Sequence, residues 1–471
     1  MTYLKTHIRR MARASRPNAN SMKSRAPRRK LGLLSLSAAT FFMVSGGPYG
    51  LEELVQKTGY VGAMAILSLV PIVWALPTGL MVGELATTLP EEGGFYVWVR
   101  RALGPFWGFQ EAWLSLAASV FDMAAYPAVF VLSLGQVWPA VLKTSNRIEI
   151  SAVVILLCLC WNLFGPRAVG DSSIGLGILL LIPFAVLAVA ALTIVHGAAA
   201  PASEVQPLDW ITGLLIAMWN YMGWDNASTI AQEVRNPQRT YPRVILWTLV
   251  GIVAVYALPI LAVWHAGIPS RVWTTGSWVG IAKLVGGPLL GTSVLVGTMV
   301  SGVGTLISLT MSYSRIPFAL AKDGYAPRVL MKQLPNGAPW VAILTCGVAW
   351  MLALGLSFDR ILLLDVLLYG LSLVLEFAAL VILRIREPDL VRPFRIPGGL
   401  VAATLVGIGP TVLLLVALVA NRHERVGSIS AVTLAGALVA LGLVLYALQE
   451  RSTRGIPRTK KRYGVVHSKH E

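Results

Sequence analysis

The chain consists mainly of apolar stretches that are separated by short polar segments. A helix needs about 20 consecutive, mostly apolar residues to cross a membrane, and stretches of that length recur along almost the whole chain. The pattern predicts twelve membrane-spanning helices, at 31–56, 60–88, 105–139, 149–165, 171–196, 208–234, 241–267, 285–314, 339–357, 360–384, 398–420 and 427–449. The predicted fold class is therefore an all-α integral membrane protein.

The first and the sixth predicted helices are interrupted in the middle of their apolar stretch. The first contains Ser45-Gly46-Gly47-Pro48-Tyr49-Gly50, in which proline removes a backbone donor and each glycine weakens the helix. The sixth contains the run from Asn220 to Asn226. Such breaks are tolerated at membrane depth where they line a cavity. Breaks at matching positions of two halves are typical of transporters built from inverted repeats, whose substrate binds at the breaks. Two unrelated kinks are the alternative interpretation.

These two helices begin two successive sets of five, which defines the predicted domain organisation. A first five-helix repeat occupies 31–196 and a second occupies 208–384, and two further helices follow at 398–449. The ends of the chain, 1–30 and 450–471, are basic tails.

Composition and charge agree with a membrane protein. Hydrophobic residues make up 56% of the 471 residues and charged residues only 13%, whereas soluble domains carry roughly a quarter charged residues. The net charge of +17 is concentrated in the tails and in alternate loops. By the positive-inside rule this predicts a multi-pass protein of the cell (cytoplasmic) membrane with both termini cytoplasmic. The basic charge is thus assigned to the lipid bilayer and not to nucleic acid. An organellar transit segment remains the alternative for the acid-free start.

Acidic residues within the predicted spans are the strongest functional signal. A charge at the centre of a bilayer costs about 2.5–3.5 kcal/mol, so each is a functional candidate. The predicted spans leave no Lys or Arg in the membrane interior. The carboxylates must therefore be protonated, paired with loop cations, exposed to water, or neutralised by a cationic ligand. The six are Glu84, Glu111, Asp122, Asp225, Asp365 and Glu376.

The spacing of these acids predicts shared helix faces. Glu111 and Asp122 are eleven residues apart, as are Asp365 and Glu376, and eleven residues is close to three helical turns. Tyrosines follow four residues after two of the acids, Tyr126 after Asp122 and Tyr369 after Asp365, and Trp219 and Trp224 flank the sixth-helix break. Carboxylates beside aromatic rings suit an organic cation.

The six acids differ in predicted role. Asp122, Asp225 and Glu376 are the deepest and are the predicted binding and proton-coupling residues. Glu84 lies near a helix end, which favours a gating or structural role. Glu111 is placed to pair with Arg100 or Arg101, and Asp365 with Arg360.

Three loop motifs resemble the amino acid–polyamine–organocation transporter superfamily. The motifs are Glu91-Glu92-Gly93-Gly94-Phe95-Tyr96-Val97-Trp98 with Leu103-Gly104-Pro105-Phe106-Trp107-Gly108, then Glu233-Val234-Arg235-Asn236-Pro237-Gln238-Arg239-Thr240-Tyr241-Pro242, and Ser314-Arg315-Ile316-Pro317-Phe318-Ala319-Leu320-Ala321-Lys322-Asp323-Gly324. They occur in the order of that superfamily, and together the resembling segments extend over most of the chain.

Within the superfamily the chain is most similar to the polyamine uptake branch of plants and protozoa. The similar segments are Ser45 to Glu52, Phe121 to Pro127, Trp219 to Asp225 with Ser228-Thr229, and Leu375 to Ala379. The resemblance implies a LeuT-like five-plus-five inverted repeat with two extra helices, and a substrate site at the two breaks. It also implies a polyamine or amino acid substrate, moved by proton coupling or exchange.

Two departures from the superfamily pattern bear on the substrate and on coupling. Amino-acid members hold the substrate carboxylate on amides of a Gly-Ser-Gly-type break, but here Pro48 deletes one donor. Some proton-coupled members carry a lysine in the fifth helix, which this chain lacks between Asp171 and His196. A substrate with amines at both ends is therefore favoured, and a carboxylate must carry any coupled proton.

The sequence predicts a secondary active transporter of cationic amines such as putrescine or spermidine. An amino-acid exchanger or proton symporter is the alternative, followed by a non-transporting nutrient sensor on the same fold. The predicted substrate-binding residues are Ser45, Gly46, Gly47, Tyr49, Asp122, Tyr126, Trp219, Trp224, Asp225 and Glu376. No enzymatic activity, metal or cofactor is predicted, although Ser301, Thr305 and Ser308 offer hydroxyls for a sodium ion.

Overall fold

The computed structural model describes residues 30–194, 208–356, 358–426 and 429–453, and the side chains of 357–360, 426–428 and 451–453 are not described. The predicted basic tails lie almost wholly outside these residues. The described chain is nearly all helical. In chain order the helices are α1 Leu33–Val44, α2 Glu52–Val70, α3 Leu76–Thr88, α4 Phe95–Leu103, α5 Pro105–Gly135, α6 Thr144–Asn162, α7 Pro166–Thr193, α8 Trp210–Asn220, α9 Pro237–His265, α10 Trp278–Tyr313, α11 Arg315–Lys322, α12 Trp340–Met351, α13 Phe358–Arg386, α14 Gly399–Ala420 and α15 Ala431–Thr453.

Short irregular elements connect several of these helices. A π-helical segment, Pro71–Ala75, joins α2 to α3, and the strands β1 Arg425–Val426 and β2 Ile429–Ser430 form an antiparallel hairpin before α15. The segments with 3₁₀ geometry are Pro139–Leu142, Asp225–Glu233, Ser270–Val272 and Arg328–Met331.

Nine helical runs within the described part of the chain are long and apolar enough to cross a membrane. They are Glu52–Thr88, Pro105–Gly135, Thr144–Asn162, Pro166–Thr193, Pro237–His265, Trp278–Lys322, Ile361–Arg386, Gly399–Ala420 and Ala431–Glu450, and α1 and α12 are shorter apolar helices. The prediction of a helical membrane protein is thereby confirmed at the level of class. The helices α4 and α11 fall outside the predicted spans because they are short and amphipathic, the property of helices that lie along a surface.

The two predicted interruptions coincide with real ends of helices. The helix α1 ends at Val44, and Gly46 and Gly47 then adopt φ angles of 66° and 104°, which side chains with a Cβ rarely tolerate. The helix α8 ends at Asn220, and Gly223 has a φ of 91°. A side chain at Gly223 would collide with the carbonyl of Met43. The break after α8 therefore lies directly against the end of α1.

The expected loop between the first two predicted helices is a kink. The run from α2 to α3 continues through Gly59, whose φ of 66° turns the chain without ending the helix. The long helix α5 packs against both α10 and α13 beside the two breaks. Their facing side chains build the site described next.

Candidate functional site

A small cavity lies where the two breaks meet α5, α10 and α13. Its lining comprises Met43, Val44, Asp122, Tyr126, Trp219, Met222, Gly223, Asn226, Tyr313, Asp365 and Tyr369. All of these residues belong to the described part of the chain, and none of them is Lys, Arg or His. The cavity wall thus combines two carboxylates with aromatic rings and no fixed positive charge.

Asp122 is held by two tyrosine hydroxyls from different helices. Tyr126, one turn further along α5, donates to one carboxylate oxygen, and Tyr313 at the end of α10 donates to the other at 3.2 Å. The side chain of Asp122 is 5% exposed. Both oxygens of this buried carboxyl group thus have a hydroxyl donor, and the two hydrogen bonds lower the cost of a negative charge there.

Asp365 also lines the cavity, although the sequence analysis did not include it among the predicted binding residues. It interacts electrostatically with Asp122 and accepts a hydrogen bond from the Trp219 side chain. Trp219 in turn stacks on Tyr126, with ring centroids 6.2 Å apart and planes 18° apart. The expected partner, Arg360, has a side chain outside those described. We call Asp122 and Asp365 the cavity pair.

Asp225 begins the 3₁₀ segment after the second break and lies behind the cavity wall. Tyr369 donates to its carboxylate at 2.5 Å, and the amide of Gly223 donates to the Tyr369 hydroxyl at 3.0 Å. The sequence placed Tyr369 beside Asp365, one turn back on the same helix. Instead it connects α13 to Asp225, so this acid is reached from the cavity through a tyrosine.

Glu111 and Glu376 form a second pair, here called the distal pair, which is absent from the cavity lining. Glu111 accepts hydrogen bonds from Ser372 at 2.8 Å and Ser115 at 3.0 Å. Glu376 interacts electrostatically with Glu111 and with Asp225, and both glutamates are 0% exposed. Both Glu376 oxygens and Oε2 of Glu111 lack a hydrogen-bond partner among the described residues.

The expected arginine partners of Glu111 were wrong. Arg100 pairs with Asp323, and Arg101 pairs with Glu387. Both arginines lie on α4 at the surface of the bundle, while Glu111 points into the contact between α5 and α13. Proximity in sequence misled here because Gly104 turns the chain between the two helices.

Glu84 is compensated by two arginines that the sequence placed outside the interior. Arg384 donates to both of its oxygens, at 2.8 and 2.5 Å, and Arg392 lies 3.4 Å from Oε1. The amide of Ile396 donates at 2.8 Å. Arg384 is only 7% exposed, so the expectation of an interior without arginine was wrong at this end of α13. The group fastens α3 to α13 and to the segment after it.

The first break is stabilised mainly by its own backbone and by α10. Ser45 accepts a hydrogen bond from the Gly47 amide at 3.0 Å, and Ser301 donates to the Gly46 carbonyl. The Tyr49 hydroxyl donates to the Val294 carbonyl at 2.9 Å. These predicted binding residues therefore lie beside the cavity rather than on its wall.

Trp224 is 1% exposed and is likewise absent from the cavity lining, whereas Trp219 is part of it. Among the predicted binding residues, Asp122, Tyr126 and Trp219 line the cavity together. Tyr313, Asn226 and Asp365 are lining residues that the binding prediction did not include. The eleven-residue spacing of Asp365 and Glu376 was the available signal for Asp365, while Tyr313 had none.

Comparison with known proteins agrees with this architecture. The profile of the family described as amino acid permease matches residues 34–444. The chain is 34% identical to the polyamine transporter PUT1 of Oryza sativa subsp. japonica over 422 residues, which covers 88% of this chain and 78% of that protein. It is 32% identical to the polyamine transporter RMV1 of Arabidopsis thaliana over 420 residues, 88% of this chain and 84% of that protein. An uncharacterized transporter of Mycobacterium tuberculosis is 30% identical over 311 residues, 61% of this chain and 68% of that protein. The chain belongs to the amino acid permease family, within the amino acid–polyamine–organocation superfamily of membrane transporters.

Proposed function

We propose that the protein is a secondary active transporter of cationic amines, with polyamines such as putrescine and spermidine as its substrates. The observation that carries the proposal is the cavity between the two breaks, which has two carboxylates and a third behind it and no fixed cation on its wall. A buried carboxylate needs a partner charge or a proton. The cavity is small in the state described, so binding of an alkylammonium group beside Asp122 and Asp365 requires it to widen during the alternating-access cycle.

Two amine groups of one substrate can be accommodated in this arrangement. One ammonium group pairs with the cavity pair beside the stacked rings of Tyr126 and Trp219, where cation–π contacts add to the charge pairing. A second ammonium group lies near the Tyr369 hydroxyl, which is hydrogen-bonded to the Asp225 carboxylate. The named substrates of the rice and Arabidopsis relatives are polyamines, which supports the same class of substrate here.

Transport follows an alternating-access cycle at the two breaks, with proton coupling or exchange. The proposed frame is twelve transmembrane helices in a LeuT-like arrangement, with repeats at 31–196 and 208–384 and helices 398–449 added. Both termini are cytoplasmic, in the cell membrane. Two helices broken at corresponding places, and in contact through Gly223 and Met43, support this frame. Glu84 forms an ion pair with Arg384, which joins α3 to α13, and has a structural or gating role.

An amino-acid exchanger or symporter on the same frame is the second candidate. It requires free amides at the first break to bind a carboxylate. The Gly47 amide already donates to Ser45, the Gly46 amide to the Phe41 carbonyl, and Pro48 has no amide hydrogen. These contacts favour the amine over the amino acid.

The test is uptake of labelled putrescine and spermidine into proteoliposomes, with arginine and leucine as competitors. Asp225→Asn removes the charge behind Tyr369 and is expected to abolish uptake. Asp389→Asn, an exposed residue after α13, is the matched control and keeps wild-type uptake. Uptake by Asp225→Asn at the wild-type rate removes this acid from the mechanism. Competition by amino acids but not by unlabelled amines supports the second candidate.

A further inference from the structure

The antiparallel contact of α5 and α13 places four acids in two layers. Asp122 faces Asp365 in one layer, and Glu111 faces Ser372 and Glu376 in the other. Both helices carry their two acids eleven residues apart, which is about 16 Å along a helix at 1.5 Å per residue. The cavity pair and the distal pair are therefore separate sites, each made from the same two helices.

The distal pair cannot be doubly ionised in the state described. Glu376 is 0% exposed and neither of its oxygens has a hydrogen-bond partner among the described residues. An isolated buried carboxylate is costly enough to be neutralised, and a neighbouring carboxylate disfavours a second negative charge. Glu111 has two serine donors and Glu376 has none. Glu376 is thus the protonated member, and Glu111 is the one better suited to hold a negative charge.

The ligand that neutralises this pair must be very small. Neither glutamate lines the cavity, and neither forms an ion pair with a described Lys or Arg side chain. A polyamine ammonium group needs space of its own, whereas a proton needs none. We infer that Glu111 and Glu376 form the site that carries the coupled proton, apart from the cavity in which the amine binds. This inference rests on the proposed transport function and assigns its proton.

Asp225 provides the connection between the two sites. It interacts electrostatically with both members of the distal pair and is bonded to Tyr369 on the cavity wall. An amine cation near Asp225 cancels the negative charge that helps the pair to retain its proton. By linkage, amine binding and proton release then promote each other, and the effect is reciprocal. The hydroxyls of Tyr369 and Ser372 lie on the same face of α13 as Asp365 and Glu376, three or four residues apart, between the two sites.

Other ionisable groups on the helices around the pair have partners or lie elsewhere. On α4, Arg100 and Arg101 pair with Asp323 and Glu387, and on α3 Glu84 pairs with Arg384. The helices α8 and α14 contain no ionisable residue, and those of α15 are Tyr446, Glu450 and Arg451 near its end. Among the described residues, Asp225 is therefore the neighbouring acid whose charge acts on both members of the distal pair.

The test compares two modes of transport in proteoliposomes, uptake driven by a pH gradient and exchange of labelled for unlabelled putrescine without a gradient. Glutamine resembles a protonated glutamate, so Glu111→Gln and Glu376→Gln are expected to fold. Each is expected to lower gradient-driven uptake by at least about tenfold, a typical coupling effect, while exchange stays within about twofold. Glu149→Gln, at an exposed position on α6, is the matched control and retains both.

A third variant tests the inference even if the two glutamine variants do not fold. Ser372→Ala removes one donor from Glu111 and keeps both carboxylates. An ionised Glu111 is then less stable, so gradient-driven uptake is expected to shift its pH dependence toward higher pH, with exchange unchanged. An unshifted profile contradicts the assignment.

The outcomes separate this inference from the function on which it rests. Gradient-driven uptake that survives in both glutamine variants overturns the inference and leaves amine transport intact. Loss of exchange together with uptake also overturns it, because the pair then belongs to the amine site. If the wild type moves no amine, the proposed function fails, and infrared difference spectra of the amine-free protein still test the pair. A protonated-carboxyl band that disappears in Glu376→Gln and shifts in Glu111→Gln supports the proton site, and a band unchanged in both variants rejects it.

Discussion

Glu84 and Glu376 are both completely buried glutamates. Glu84 contacts α13 and Glu376 belongs to it, but the two carboxylates differ in whether their charge is compensated. Both carboxylate oxygens of Glu84 accept hydrogen bonds from Arg384, and the Ile396 amide donates a further one. Glu376 has no hydrogen-bond partner on either oxygen among the described residues. Two carboxylates near one helix thus represent a fully compensated charge and an uncompensated one.

The difference indicates how a membrane protein can separate structure from mechanism. A carboxylate with a fixed cation is held in one charge state, because breaking the pair leaves a buried charge alone. A carboxylate without one must take its compensation from something that moves, such as an amine or a proton. Among the described side chains the acids of the cavity pair and the distal pair have no fixed cation and are of this second kind, while Glu84 joins α3 to α13.

The largest effect is expected at the compensated site. Glu84→Gln leaves Arg384 and Arg392 near a neutral side chain, and breaking a buried ion pair destabilises a protein by about 3–5 kcal/mol. Glu376→Gln removes an unpartnered acid and is expected to leave stability unchanged or to raise it. Chemical unfolding of both variants in mixed micelles measures the two free energies. Equal losses of stability in the two variants would contradict the distinction drawn here.

A second comparison separates two acids of α13 by their access to the cavity. Asp365 lines the cavity and Glu376 does not. A hydrogen bond to a charged group is worth about 1.5–3 kcal/mol, so Asp365→Asn is expected to weaken putrescine binding by roughly tenfold to a hundredfold. At a pH low enough to keep the distal pair protonated in the wild type, Glu376→Gln is expected to bind putrescine as the wild type does. Isothermal titration of the purified proteins measures both affinities. Weakened putrescine binding by Glu376→Gln would place that residue in the amine site.

The sequence could predict features that depend on neighbours along the chain. The two breaks follow from glycine and proline within apolar stretches, and the burial of Asp122 and Glu376 follows from their place inside such stretches. The Tyr126 bond to Asp122 joins residues four apart on one helix, so its spacing was already visible. Local periodicity carries this information because one helix turn brings such residues together.

Contacts between distant helices were beyond the same reasoning. Tyr313 meets Asp122 across 191 residues, and Arg384 meets Glu84 across 300. Which helix faces which, and at what height, depends on the packing of the whole bundle. A single sequence contains no direct record of that packing, and this is why Arg100 and Arg101 were expected beside Glu111 and why Arg384 was not recognised as the partner of Glu84. The grouping of four acids into two layers became visible only when α5 and α13 were seen in contact.

A smaller effect is expected from the donors that distinguish the cavity pair from the distal pair. Tyr313→Phe removes one hydroxyl from Asp122 and leaves the Tyr126 bond in place. The loss of one hydrogen bond costs about 0.5–1.5 kcal/mol, so putrescine binding is expected to weaken by about threefold to tenfold, most strongly at low pH. Tyr446→Phe, in the aromatic cluster of α15, is the control. Binding isotherms at several pH values test this, and a variant indistinguishable from the control would assign Tyr313 to packing.

The smallest effect is expected at a compensated acid that is exposed. Glu387 follows α13 and accepts hydrogen bonds from Arg101 at 2.9 and 2.6 Å, and its side chain is 33% exposed. The Arg101 guanidinium holds the pKa of the Glu387 carboxyl below its ordinary value. A folded-state pKa below that of the unfolded chain stabilises the fold at neutral pH, and the contribution is lost as the pH falls through the folded-state value. Because solvent and salt screen such pairs, Glu387→Gln is expected to lower stability by only about 0.5 kcal/mol, and the difference from wild type should vanish in acid. A loss comparable to that of Glu84→Gln, or one that persists at low pH, would show that burial is not what separates these two ion pairs.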